Sequence, residues 1–188
     1  KEEEGYKATE HRFVIKVDRD IPEGNVLLSG ARIVTMKGDE VLESGDILIK
    51  NNRISAVGVK GSISIEGNTK TIDLSGKTIV PGFVDVHAHM WPTWGLHKNN
   101  VWIYAANLAY GVTTTRDPQT ATTDVLTYGD MVESGHIPGP RIYSTGPGIG
   151  FWSYRMKDKK HVDKVMKQYS EYYDTKTIKM YLVGNRQH

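Results

Sequence analysis

The hydrophobic pattern of this 188-residue chain changes at Pro81 and Gly82, and the change divides the chain into two regions. Before it, short apolar runs are separated by turn residues, a pattern typical of strands joined by hairpins. After it, runs of strand length alternate with segments of helical periodicity, which predicts parallel βα units. We therefore expect an all-β region followed by an α/β region.

Residues 25–80 are predicted to form a small antiparallel β-sandwich, with a half-barrel as the alternative. Asn51 and Asn52 separate two strand-like runs and indicate a hairpin, because Asn tolerates a positive φ. The predicted strands cover residues 26–28, 31–36, 46–50, 53–57, 62–65, 71–74 and 78–80. Residues 1–24 are expected to be a charged arm or linker from an upstream region, with a strand-like run at 12–17. A tag remnant or a ragged terminus is an equally open interpretation of that arm.

Residues 81–188 are predicted to be the first half of a TIM-like barrel, with about four of its eight βα units. Residues 83–87 form a continuous apolar run, typical of a strand buried on both faces. Further strands are expected at 112–116, 141–145 and 177–183, with helices near 101–110, 123–133 and 162–173. A four-stranded open sheet would leave its edges bare. We expect the missing C-terminal half of the barrel, or another chain, to complete it.

Composition excludes several functional classes. The chain has 24 Lys and Arg against 22 Asp and Glu, a net charge of +2, which argues against nucleic acid as the partner. It has no cysteine, so disulfides, thiolate metal ligands and a cysteine nucleophile are excluded. No stretch approaches the roughly 18 apolar residues of a membrane-spanning helix.

His87 and His89 form the sharpest chemical signal. Side chains alternate along a strand, so both histidines are expected on one face, near the strand's C-terminal end. In a βα barrel that end opens into the active-site mouth. Two imidazoles on one face can converge on one metal ion, whereas two solvated histidines are the ordinary alternative. The position directly after a buried strand favours a metal site.

Residues 76–89, which read GKTIVPGFVDVHAH, resemble the amidohydrolase superfamily, closest to its imidazolonepropionase- and prolidase-like branch. The segments 30–35, 52–58 and 111–117 resemble further strands of that family, so the likeness spans roughly residues 25–183. Residues 18–35 resemble members whose module follows a TolB-like β-propeller. The resemblance implies a β-sandwich ahead of a distorted TIM barrel whose first strand ends in His-x-His.

The resemblance also implies a site. His87, His89 and Lys179 would be metal ligands for one or two divalent ions, with zinc preferred, and Lys179 would carry a CO2-derived carbamate. Lys179 lies in an apolar run, where burial of its ammonium group is costly unless that group has a partner. A carboxylate partner or a strand end that reaches water are the alternatives to a metal ligand.

The function that the resemblance implies is metal-dependent hydrolysis of C–N bonds in a small amide, cyclic amide or short peptide. The family's remaining ligands and its water-activating acid come from later strands, so the chain is expected to be an N-terminal fragment, inactive alone. A non-catalytic scaffold, or a half-barrel that needs a complementary chain or a homo-oligomer, is the alternative. A propeller-fused parent would favour the cell envelope or secretion, and otherwise the cytoplasm; the compartment and the substrate stay open.

Other residues near the predicted strand ends have roles that the sequence leaves open. Asp85 is interpreted as a buried structural acid or as a partner of a metal-binding histidine. Arg116 and Asp117 are expected to form an ion pair or to brace a loop. The glycine-rich loop 146–150 is expected to line the mouth. Aromatic residues after strands one and three could wall a pocket or pack loops together: Trp91, Trp94, Phe151 and Trp152.

Overall fold

The computed structural model describes residues 9–90, 98–120, 124–150 and 156–181. Two sheets and three α-helices are present in this part of the chain, so the predicted α/β class is confirmed. The first sheet contains five strands, β1 (Asn25–Val34), β2 (Val41–Lys50), β3 (Arg53–Val59), β4 (Thr69–Asp73) and β5 (Thr78–Ile79).

The first sheet has the order β3-β2-β1-β4, with β5 also paired to β1. The predicted Asn-Asn hairpin is confirmed: β2 and β3 pair antiparallel up to Lys50 and Arg53, and Asn51 has a φ of 54°. Because Asn adopts this left-handed conformation more readily than most residues, the turn forms without a glycine. A small apolar core lies on this sheet, built on Ala31, Ile33 and Ile47.

The prediction of an all-antiparallel sandwich is wrong in its strand pairing. β4 and β5 both run parallel to β1, and the described residues form one mixed sheet here. The runs at 26–28 and 31–36 belong to a single strand, β1, whose register shifts beside Gly30. Residues 62–65 form no strand, since Ser62 closes a turn onto the carbonyl of Val59 instead.

The prediction of a strand at residues 12–17 is also wrong, because residues 9–23 carry no regular secondary structure and are exposed. This arm reaches the end of a helix of the second region. The backbone N–H of Asp20 donates to the carbonyl of Glu133 at 2.9 Å, and Arg19 lies 2.8 Å from the Glu133 carboxylate. These two contacts anchor the arm's C-terminal end.

The second region alternates strands and helices as predicted. Its elements are β6 (Phe83–Asp85), α1 (Trp102–Ala109), β7 (Val112–Asp117), α2 (Asp124–Glu133), β8 (Arg141–Ser144) and α3 (Lys159–Lys167), followed by a π-helical turn (Gln168–Tyr172). The three strands are parallel, in the order β6-β7-β8. A core of apolar side chains includes Ala88, Met90, Val101, Tyr104, Val125, Tyr128 and Ile137.

Two expectations for this region are wrong. The first strand is not buried on both faces: Phe83 and Val84 are 61% and 59% exposed. Among the described strands β6 pairs only with β7, so one of its edges has no neighbour to cover it. The fourth strand is reduced to a bridge between Ile149 and Met180, and residues 182–183 of that prediction lie outside the described part.

None of the helices that the structure describes is long and apolar enough to cross a bilayer.

The Asp46 carboxylate joins three segments of the first sheet. One oxygen accepts hydrogen bonds from the Ser29 hydroxyl at 2.8 Å and from the Gly30 N–H at 3.0 Å. The other accepts from the Gly61 N–H at 2.8 Å. Burial alone would raise the pKa of Asp46, but these donors, with Lys60 nearby, outweigh it and leave that pKa below its ordinary value.

We expect Asp46→Asn to destabilise the intact protein by about 1–3 kcal/mol, because an amide nitrogen cannot accept the N–H of Gly30 or Gly61. Since the pKa of Asp46 is lowered by folding, its contribution is fully present above the pKa of the unfolded carboxyl. It is lost as the pH falls through the lower folded value. Urea unfolding between pH 2 and 7 measures both effects.

Asp39 is the control, because it is an exposed acid in a turn. Asp39→Asn should change the free energy of unfolding by no more than about 0.5 kcal/mol. An Asp46→Asn protein as stable as that control at pH 7 would contradict the assignment.

Candidate metal centre

The His87–His89 segment lies just beyond β6 rather than within it. The strand ends at Asp85, and the chain turns through Val86 and His87. The Ala88 N–H donates to the carbonyl of Arg116 at 3.1 Å, so the segment stays alongside β7. Ala88 and Met90 point into the core, whereas both histidines are exposed. The predicted alternation of faces is therefore confirmed, although the strand itself ends earlier.

The two imidazole rings are close together. Their centroids lie 5.1 Å apart and the rings are nearly perpendicular, with an angle of 77° between their planes. Two rings that bind one zinc ion tetrahedrally, with Zn–N distances of about 2.0–2.1 Å, would have centroids about 5 Å apart. The observed separation of the ring centres therefore matches that of two ligands to a shared ion.

The tautomer of His89 follows from its acceptor. Its Nδ1 lies 3.0 Å from the backbone carbonyl oxygen of Gln119. A carbonyl can only accept, so Nδ1 carries the hydrogen and a neutral ring keeps its lone pair on Nε2. Metal-binding histidines are usually held in this way, by a hydrogen bond from the other ring nitrogen.

Asp117, at the end of β7, lies directly behind His89. Its carboxylate is fully buried and accepts the N–H of Met90 at 2.8 Å and that of Gln119 at 3.0 Å. One of its oxygens is 3.4 Å from the Nδ1 of His89. Burial raises the pKa of Asp117, and the backbone hydrogen bonds from Gln119 and Met90, with the His89 ring nearby, offset only part of that rise.

The loops after β7 and β8 are joined to each other. The Thr145 N–H donates to the carbonyl of Asp117 at 3.0 Å, and the Thr120 N–H donates to that of Gly146 at 3.2 Å. The Tyr169 hydroxyl donates to the carbonyl of Pro147. Since these residues are buried, the turn that carries Gln119 is held on several sides. The glycine-rich loop thus lies at the predicted end of the sheet.

The structure describes some of the other residues for which the sequence left the role open. Asp85 is exposed and accepts the N–H of His87 at 2.9 Å, so it is not a buried acid. Asp117 braces a loop as expected, while Arg116 donates to the Thr177 hydroxyl at 3.2 Å. The four aromatic residues assigned to a pocket wall lie outside the described residues, namely Trp91, Trp94, Phe151 and Trp152.

Lys179 is half-buried, and its ammonium lies 5.9 Å from the centre of the Tyr181 ring, a cation–π contact. Its carbonyl accepts the N–H of Ile149 at 2.8 Å. The structure therefore brings two of the three predicted ligands together and gives Lys179 an aromatic neighbour. Within the described ranges, no three His, Asp or Glu side chains form a group that could hold a metal ion.

Two tyrosines lie beneath the site. The Tyr104 and Tyr128 rings are 6.3 Å apart and nearly perpendicular. The Tyr128 hydroxyl accepts the N–H of Lys98 at 2.7 Å, whereas the Tyr104 hydroxyl is buried without a hydrogen-bond partner among the described residues. Burial, with Tyr128 and Asp117 nearby, raises the pKa of Tyr104 far above its ordinary value.

No protein-family model matches the chain. Over 68 residues it is 43% identical to a 5-methylthioadenosine/S-adenosylhomocysteine deaminase of Pelotomaculum thermopropionicum, a match covering 35% of this chain and 16% of that protein. Over 88 residues it is 35% identical to a dihydroorotase of Lactococcus lactis, covering 46% and 19%.

Solved structures share the fold. A protein from Bifidobacterium longum assigned as a prolidase superposes with a TM-score of 0.70 at 23% identity, over 88% of this chain and 42% of that one. Such an identity supports the fold alone, while the deaminase and dihydroorotase add similarity of sequence. The chain is therefore similar, in sequence and in fold, to proteins of the amidohydrolase superfamily.

The match to amidohydrolases is partial in length. The segments matched in the deaminase and the dihydroorotase are less than a fifth of those proteins, and the chain spans less than half of the Bifidobacterium structure. The predicted amidohydrolase resemblance is confirmed, and a protein assigned as a prolidase shares the fold. Fusion to a TolB-like propeller stays a prediction.

The amidohydrolase motif pointed to His87 and His89 but not to the residues behind His89. Asp117 was expected to act only as a brace or an ion-pair partner, and Gln119 was not singled out. A usable signal was present, because polar residues at the ends of neighbouring parallel strands meet at one edge of a sheet. Residues 117–119 follow the second strand just as residues 87–89 follow the first.

We expect Tyr104→Phe to leave the free energy of unfolding unchanged or to raise it by up to about 1 kcal/mol, because it removes a buried hydroxyl without a described partner. Tyr128→Phe is the matched control. It leaves the Lys98 N–H without its acceptor and should destabilise by about 1 kcal/mol. Chemical denaturation of both variants measures the difference; equal destabilisation would show that Tyr104 has a partner too.

Proposed function

We propose that this chain supplies the metal-binding part of a hydrolase that cleaves C–N bonds. The observation that carries the proposal is the His87–His89 pair, 5.1 Å apart at the end of β6, with His89 held by the carbonyl of Gln119. The sequence relatives named deaminase and dihydroorotase support the reaction class. A further structural neighbour, a Xaa-Pro dipeptidase, has the same fold.

In this proposal His87 and His89 hold one divalent ion through ring nitrogens, and imidazole ligands make zinc the preferred metal. Lys179, as a carbamate, would supply an oxygen ligand for a second ion. A divalent ion at this place would polarise the bond to be cleaved and activate a water molecule. The substrate class is a small amide, a cyclic amide or a short peptide.

The residues of this chain would act mainly as supports. The Gln119 carbonyl keeps the hydrogen of His89 on Nδ1, and the joined loops after β7 and β8 fix that carbonyl in space. Proton transfer to the leaving nitrogen needs a further group. We assign that group to none of the described residues, and we propose that the chain alone is inactive. A barrel used only as an assembly scaffold is the competing function.

We expect His87→Ala and His89→Ala each to abolish tight zinc binding at this site in the intact protein, because each removes one of two adjacent ligands. Metal content after dialysis, and zinc titration followed by calorimetry, are the measurements. His136→Ala is the control, since His136 is exposed and bonded to Ser134 on another part of the surface.

Normal metal content in both ligand variants would rule out the metal site. Absence of metal from the unaltered protein, after purification without chelators and addition of zinc, would favour the scaffold.

We expect Lys179→Ala to remove the second ion and to abolish any dependence of metal content on bicarbonate, because an alanine cannot form a carbamate. Lys176→Ala is the matched control, as Lys176 is an exposed lysine three residues earlier. Metal stoichiometry, with and without added bicarbonate, measures the effect. Equal stoichiometry in both variants would restrict the site to the two histidines.

A further inference from the structure

Asp117 lies at a junction that the metal proposal does not use. Its carboxylate, at the end of β7, is fully buried, accepts two backbone N–H groups and lies 3.4 Å from the Nδ1 of His89. A buried carboxylate is costly unless donors satisfy it, so its place here needs a reason. The two backbone donors are Met90 and Gln119, and the His89 ring is a charged or polar neighbour rather than a third donor.

The two backbone bonds hold both sides of the His89–Gln119 hydrogen bond. Met90 follows His89 directly in the chain, so its N–H fixes the backbone that carries the ring. Gln119 provides the carbonyl that accepts the hydrogen from Nδ1 of His89. The Asp117 side chain thus fixes His89, the donor, and Gln119, the acceptor, in position relative to each other.

The direct contact between Asp117 and His89 has a different character. At 3.4 Å it is longer than an ordinary N–H···O bond of about 2.7–3.2 Å, whereas the bond to Gln119 is 3.0 Å. The carboxylate therefore acts on the ring mainly through its charge, which favours a hydrogen on the nitrogen that faces it. The charge of Asp117 and the hydrogen bond to Gln119 therefore both favour the Nδ1–H tautomer of His89.

We propose that Asp117 is a positioning residue for His89, which fixes the Nδ1–H tautomer and the direction of the ring through its bonds to Met90 and Gln119. As a statement about metal binding it rests on the proposed function, because Nε2 would then face the ion. The tautomer itself can be measured without any metal.

Asp117→Asn tests this role, because the amide keeps the size of the side chain but offers one accepting oxygen instead of two. We expect the metal-free intact variant to lose the single Nδ1–H tautomer of His89 in nitrogen-15 NMR of the imidazole groups, assigned with His89→Ala. Zinc affinity, titrated with zinc ions alone, should fall by about 10–100-fold.

Asp46→Asn is the matched control. It also replaces a buried carboxylate that accepts two backbone N–H groups, but in the first sheet. It should lower stability and leave the His89 tautomer and the zinc affinity unchanged. An unchanged tautomer in Asp117→Asn, or an equal loss of zinc affinity in the two variants, would overturn the proposal.

Hydrogen exchange in the unaltered protein is a second test that does not depend on a variant that folds. The amides of Met90 and Gln119 should exchange slowly, and rapid exchange of either would overturn the proposal. An unaltered protein that binds no zinc would instead overturn the metal proposal, while the tautomer and the exchange rates still decide the role of Asp117.

Discussion

The buried carboxylate of Asp117 is the constraint on which the arrangement of the strand ends depends. A carboxylate without water or donors costs several kcal/mol, so its N–H partners must be present together. Those partners come from the segment after β6 and from the turn after β7. Because the turn after β7 is in turn bonded to Thr145 and Gly146, the ends of three parallel strands are fixed as one unit.

Local patterns predicted the elements well, and non-local contacts account for the errors. The Asn51-Asn52 hairpin and the alternation of β6, α1, β7, α2 and β8 follow from turn residues and periodicity, which act over a few residues. The parallel pairing of β1 with β4 could not be predicted, since nothing in either strand specifies its distant partner. The exposure of Phe83 likewise depends on which strand lies beside β6, and not on the apolar run itself.

The same distinction between local patterns and non-local contacts holds for the candidate metal centre. Alternation of faces predicted that His87 and His89 would lie together, because that rule needs only positions two residues apart. The role of residues 117–119 required the register of β6 against β7, in which Asp85 pairs with Thr115. Continued along the chain, that register sets His87 level with Asp117 and His89 level with Gln119. The contact between His89 and Gln119 is the result, and it joins residues 30 positions apart.

Two buried carboxylates occur in the part of the chain that the structure describes, and their consequences differ. Asp46 takes its backbone hydrogen bonds from Gly30 and Gly61, which have φ values of 80° and 79°, so it closes turns that only glycine forms easily. Asp117 takes its bonds from Met90 and Gln119, and both lead to His89. The first arrangement can affect only the stability of its sheet. The second transmits the position of one strand end to an imidazole ring, and for that reason the same chemical group can serve the fold in one place and orient the His89 ring in the other.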